Sequence, residues 1–114
     1  MKHWALLGFC ATVLLAGCAP SPVELRTQGI SEFQLGRTEE AQKLLQQTLD
    51  LTPSDPEALY YMGRINHVQG FYEQAFYYYQ CALDVDPSFE PARKWLARAQ
   101  ELLGPTGKTL RFLP

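Results

Sequence analysis

Between residues 22 and 103 the apolar positions form helical stretches, and these are broken at regular places by Gly36, Pro53, Gly70, Pro87 and the pair Gly104-Pro105. Proline cannot continue a helix, and glycine supplies the backbone angles of a tight turn. The punctuation predicts five helices, near 22–35, 38–51, 56–69, 72–85 and 89–103. Thr38 before Glu39-Glu40, and Asp55-Pro56-Glu57, read as helix starts with acidic first turns, which suit the positive end of a helix dipole. A different pattern occupies the amino terminus. Trp4 to Leu15 is an uninterrupted run of twelve residues without formal charge, short of the roughly 20 apolar residues that cross a bilayer as a helix.

The helical region repeats itself. A shift of 34 residues aligns Leu25 with Leu59, Gly29 with Gly63, Gly36 with Gly70, Glu39 with Glu73 and Ala41 with Ala75. The same shift aligns Gln46 with Gln80, Leu49 with Leu83, Asp50 with Asp84, Pro53 with Pro87 and Ser54 with Ser88. These ten identities without a gap exceed the roughly two expected from average residue usage. The second copy reads Leu59-x2-Met62-Gly63-x2-Asn66, then Ala75-x3-Tyr79-x2-Ala82-x4-Pro87. In period and in residues this resembles the tetratricopeptide repeat (TPR), a helix–turn–helix unit. The first copy is looser, with Gln28 and Thr48 at positions expected to be apolar or small. A third copy runs from Glu90 through Leu96-Ala97 and is halted by Gly104-Pro105, which reads as a capping helix.

The resemblance implies an all-α fold, two tandem repeats and a C-terminal cap wound into a short right-handed solenoid. The expected domains are repeat one over 22–55, repeat two over 56–89 and the cap over 90–103, with 104–114 as a tail. In that tail Lys108 and Arg111 alternate with Leu110, Phe112 and Leu113. It either folds back on the cap or serves as a docking peptide.

Lys2 and the apolar run after it fit a secretory signal peptide. Leu15-Ala16-Gly17-Cys18 follows and resembles the bacterial lipobox. That resemblance implies removal of residues 1–17, a diacylglycerol thioether on Cys18 and acylation, such as palmitate, of its new amine. Several acyl chains on one residue suffice for stable anchoring. Residues 18–21 then form a short tether. With Ala19 rather than Asp after the cysteine, lipoprotein convention points to the outer membrane, facing the periplasm.

Charge alters this picture little. Ten Lys and Arg against twelve Asp and Glu give a net charge of −2. This mild acidity argues against a nucleic-acid partner, which selects a basic surface. The basic groups are unevenly spread, with five of the ten in residues 88–114.

Candidate chemistry is sparse. Without the signal peptide, His67 is the lone histidine and Cys81 the lone thiol not committed to lipid. They fall on different helices, and no phosphate-binding glycine loop, metal-spaced cluster or Ser–His–Asp arrangement accompanies them. No catalytic residue, cofactor or metal is expected. The family pattern instead turns Arg26, Ile30 and Phe33, then Tyr60, Arg64 and His67, then Lys94 and Arg98 towards the concave face. Lys94 and Arg98 resemble the basic pair of carboxylate-clamp repeats, but the clamp's asparagines are replaced by Ile30 and Tyr61. Tyr77 and Tyr78 are expected on the convex side, as an interface or as packing, with self-association as one use. The expected function is a membrane-anchored adaptor or assembly factor that binds another envelope protein or peptide, as in pilus or secretion biogenesis. The alternative is a small fixed subunit of a larger envelope complex whose groove is not used.

Overall fold

A computed structural model describes residues 19–104. The expected signal peptide, the lipidation site Cys18 and residues 105–114 of the tail lie outside the described residues. Five helices and no strand are found among the described residues: α1 Pro22–Gln34, α2 Thr38–Leu51, α3 Pro56–Val68, α4 Tyr72–Val85 and α5 Glu90–Leu103.

The helix ends are built from the punctuation. Ser21 caps α1 in a reciprocal box: its Oγ accepts from the Glu24 amide at 3.2 Å, while its own amide donates to the Glu24 carboxylate at 3.1 Å. Asp55 caps α3 by accepting from the Ala58 amide at 3.0 Å. Pro22 and Pro56 open these two helices, where a missing amide costs nothing. Thr38 is the first residue of α2, but no side chain caps that helix; Arg37 holds the cap position by backbone alone.

The turn after each first helix is a repeated device. Gly36 and Gly70 have φ of 80° and 83°. The residue after each glycine donates back across the turn, Arg37 to Glu32 O at 2.9 Å and Phe71 to Asn66 O at 2.8 Å. This closes the helix with a Schellman motif, which requires the left-handed angle that glycine adopts freely.

Each repeat is thus an antiparallel pair, α1 on α2 and α3 on α4, while α2 packs on α3 and α5 on α4. The core runs through the pairs as Leu45, Leu49, Ala58, Leu59, Met62, Ile65, Ala75, Tyr79 and Ala82. Gly29 and Gly63 mark where the helices of a pair cross. A Cβ on Gly29 would lie 2.9 Å from Leu45 Cγ, and one on Gly63 would lie 2.4 Å from Tyr79 Cε1. Thr48, buried at a small-residue position, satisfies its hydroxyl by donating to Leu44 O at 2.9 Å. The second helices α2 and α4 leave between them a groove of about 670 Å³, floored by Leu59 of α3.

Candidate functional site

Sequence spacing places one face of each first helix on a common surface, and the structure shows what each side chain does there. Arg26 of α1 is committed to the repeat junction. Its Nη1 meets Asp55 Oδ2 at 2.6 Å and its Nε meets Glu57 Oε2 at 3.3 Å. It therefore ties α1 to α3 and is not a free cation for a ligand, contrary to the groove role expected of it. Ile30 packs at the edge of the core, as does Phe33, whose ring also lies 5.7 Å from Tyr61, edge to face.

Tyr60 corrects the expectation most. Expected in the groove, it is only 6% exposed. Phe89, from the loop after α4, packs on it at 5.5 Å, and Tyr61 and Tyr79 complete its surroundings. Helical register places a residue on a face but says nothing of what a later loop lays over it.

Arg64 and His67 of α3 converge with α5. The Arg64 guanidinium lies 3.7 Å from the centroid of Trp95 and 5.4 Å from that of Phe33, while its Nη1 donates to Tyr60 Oη at 2.9 Å. Arg98 stacks on Trp95 at 4.8 Å. Two guanidinium groups on one indole are held by cation–π attraction, each contact being worth about 0.5–2 kcal/mol according to its exposure. The Arg64 Nε is buried without a hydrogen-bond partner, so this residue is held by its stacking and by the Nη1 bond to Tyr60. Lys94, one turn before Arg98, is exposed.

Trp95 is the residue that sequence reasoning missed. It organises Arg64, Arg98 and His67, yet the family spacing steps from Lys94 to Arg98 and passes over it. A signal was present: Tyr61, its counterpart 34 residues earlier, is also a large aromatic.

His67 stands edge-on to Trp95 at 4.9 Å and to Tyr72 at 5.1 Å, with Nδ1 at 3.4 Å from Tyr79 Oη. Burial, then the charges of Arg64 and Arg98, lower its pKa from the usual histidine value. Burial likewise pushes the Tyr79 phenol up. A histidine depressed in the folded state binds fewer protons than in the unfolded chain. The unfolded chain begins to protonate it near pH 6.5, so stability present above that pH is lost as pH falls towards the folded value. Urea unfolding between pH 7.5 and 5.5 should show this loss, and His67→Gln should flatten the profile. An unchanged slope in the variant would rule out His67 as the source.

Tyr77 and Tyr78 part company. Tyr77 is 64% exposed, whereas Tyr78, expected to point outward with it, is half-buried against the core. Both line the α2–α4 groove together with Leu49, Cys81 and Val85. Cys81 thus belongs to the groove and His67 to the Trp95 cluster, and the two are not brought together. Among the described residues no group of three His, Cys, Asp or Glu side chains could hold a metal ion, and no helix is long and apolar enough to cross a membrane.

A protein-family model for the tetratricopeptide repeat matches residues 26–88. The chain belongs to the tetratricopeptide-repeat family. No curated protein matches it. TPR units are generally non-catalytic modules that bind other proteins, and the matched span contains both helix pairs found among the described residues, apart from the first turn of α1. The Arg64–Trp95–Arg98 stack joins α3 to α5, so this part of the surface is shared between repeat two and the helix that follows it.

Proposed function

We propose that this TPR protein is a lipoprotein of the bacterial envelope, anchored through Cys18 to the outer membrane and facing the periplasm, which recruits another envelope protein through its first-helix face. The observation that carries the reading is the stack of Arg64 and Arg98 on Trp95, flanked by Phe33 and the exposed Lys94. Aromatic rings held in place by neighbouring guanidinium groups lose little entropy on binding, and arginine and tryptophan are enriched at binding hot spots. The cations favour a partner segment that bears carboxylates. The short tether supports the anchoring. Ser21 already caps α1, so the folded repeats start three residues after Cys18 and would lie close to the bilayer.

Two variants test the parts separately. Cys18→Ser should move the protein from the membrane fraction to the soluble fraction with its helical circular dichroism unchanged. Lys94→Glu with Arg98→Glu should abolish capture of the partner in a crosslinking pull-down from native envelope while membrane anchoring survives. Arg64 is left intact because its Nε is buried and its loss would disturb packing. Capture that is indifferent to both reversals would sink the adaptor reading.

The groove between α2 and α4 favours a second reading, a fixed subunit of a larger secretion, pilus or export complex. It is lined mainly by apolar groups, with Tyr77 at its mouth. This reading expects Tyr77→Asp to release the protein from its complex and the Lys94/Arg98 reversal to have no effect.

A further inference from the structure

The second helices differ from the first in charge. Thr38–Leu51 and Tyr72–Val85 hold Glu39, Glu40, Asp50, Glu73 and Asp84 against Lys43 alone. Among the described residues none of them is in an ion pair. On the opposite face the aromatic rings already carry cations, with Arg64 over Phe33 and both Arg64 and Arg98 over Trp95. No cation of the described residues lies over Tyr77 or Tyr78, whose rings meet edge to face at 5.8 Å.

The groove between α2 and α4 runs most of their length. A second depression of about 440 Å³, floored by Met62 and Asn66 of α3, adjoins the one of about 670 Å³ and shares Gln46, Tyr77 and Tyr78 with it. Leu49, Leu59, Tyr78 and Val85 give the trough its apolar surface. Glu73, in the first turn of α4, lines the one depression, and Asp84, in the last turn, lines the other; no Lys or Arg lines either. Eleven residues separate these carboxylates along α4, about 16 Å at a helical rise of 1.5 Å per residue. An occupant must therefore cover apolar surface at its centre and answer a negative charge at each end. Opposite charges at two points fix its register, and tyrosine rings free of cations add cation–π attraction.

We propose that the α2–α4 groove is a second peptide site, which takes an extended partner segment with apolar side chains at its centre and a Lys or Arg at each end. About five to seven residues of extended chain span the distance. The molecule then holds a basic segment on its second-helix face and an acidic one on its first-helix face. This rests on the second reading above only in placing a partner in the groove.

Cys81 lies in the groove wall and is a free thiol, so it reports on the site directly. It follows Glu73 by eight residues, about 12 Å along α4. In an extended peptide Lys-Ser-Leu-Ser-Cys-Ser-Lys the thiol stands about 13 Å beyond the first lysine. A register that sets the two lysines against Glu73 and Asp84 thus brings the thiols together. The probe is offered to the full chain as its mixed disulfide with mercaptoethanol, in excess mercaptoethanol, and peptide mass spectrometry locates the captured site. Capture at Cys81 should exceed that of the versions with Glu or Ser in place of both lysines by roughly tenfold. It should exceed that of the version with Ser in place of Leu by roughly fivefold. Glu73→Lys with Asp84→Lys should turn the preference towards the Glu probe, with helical circular dichroism unchanged. Glu90→Lys with Glu101→Lys, the same change of net charge placed on α5, should leave the preference as it was. Equal capture of all probes by the unsubstituted chain overturns the proposal, as does a preference that the α5 pair shifts as far as the groove pair. Cys81 unreactive towards every probe overturns it too, and sedimentation then tells whether a second copy or the chain's own tail fills the groove. Because the probes are synthetic, their failure leaves the release expected of Tyr77→Asp, and with it the second reading, to be judged separately.

Discussion

Tyr79→Ala is expected to lower stability by about 3–5 kcal/mol, the range for large aromatics truncated in a close-packed core. For a domain of this size, a loss of that magnitude lowers Tm by roughly 15–30 °C. Tyr79 is fully buried, and its ring fills the space that the missing side chain of Gly63 leaves open. Truncation would open a cavity between α3 and α4 that neither helix can collapse into, because Ala75 and Ala82 already bring α4 close. Tyr79→Phe separates ring from hydroxyl. The hydroxyl has only the long contact to His67 at 3.4 Å, so that variant should cost no more than about 1 kcal/mol. The converse change, Gly63→Ala, forces a Cβ to 2.4 Å from a ring carbon. Overpacking of about 1–3 kcal/mol should outweigh the gain of about 1 kcal/mol from replacing glycine inside a helix. Combined with Tyr79→Leu, which copies the Gly29–Leu45 pairing of repeat one, Gly63→Ala should cost less than it does alone. Thermal unfolding of the unsubstituted chain, Gly63→Ala, Tyr79→Leu and the double variant would measure this, and strict additivity would show that the two positions do not share one space.

Asp55→Ala carries the second large effect, about 2–4 kcal/mol, because one carboxylate serves two structures. It caps α3 through the Ala58 amide and holds Arg26 across the repeat junction. A lost cap typically costs about 1 kcal/mol. The ion pair adds more than a surface pair would, because Asp55 is 6% exposed and Arg26 is partly enclosed. Removing one partner leaves the other desolvated and unpaired. Glu57 keeps a second contact with Arg26 at 3.3 Å, which holds the cost below that of a fully buried pair. Asp55→Asn retains a capping oxygen and discards the charge, so it should recover the cap's share alone. Denaturant unfolding that finds Asn as damaging as Ala would mean that the cap contributes nothing.

The fold was legible because its signals are local and occur twice. The helix boundaries follow from Gly36, Gly70, Pro53, Pro87 and Pro56, each of which imposes or forbids a backbone conformation regardless of distant contacts. The expected ends near 35 and 69 differ by one residue from Gln34 and Val68. Leu35 and Gln69 retain helical angles but already belong to the closing turn. The surface was less legible because it depends on neighbours remote in sequence. Arg26 looked like a free cation until Asp55 and Glu57 came beside it. Tyr60 looked like a lining residue until Phe89 covered it, and Tyr78 looked outward although its ring packs against the core. Trp95 was overlooked because its role arises from Arg64 on another helix, which no spacing within α5 discloses.

The gap between α2 and α4 has a mechanical consequence. With the second helices apart, repeat one is joined to the rest through the packing of α2 on α3, a lighter contact of α1 with α3, and the Arg26 ion pairs. Tension applied at residue 21 would load that junction in series, whereas α3, α4 and α5 share contacts with one another. The pair α1–α2 should therefore give way first and as a unit, releasing the thirty residues from 22 to 51, about 100 Å of extended chain, while α3, α4 and α5 stay folded. Pulled from that end, the molecule would be extensible near its amino terminus and stiff beyond it.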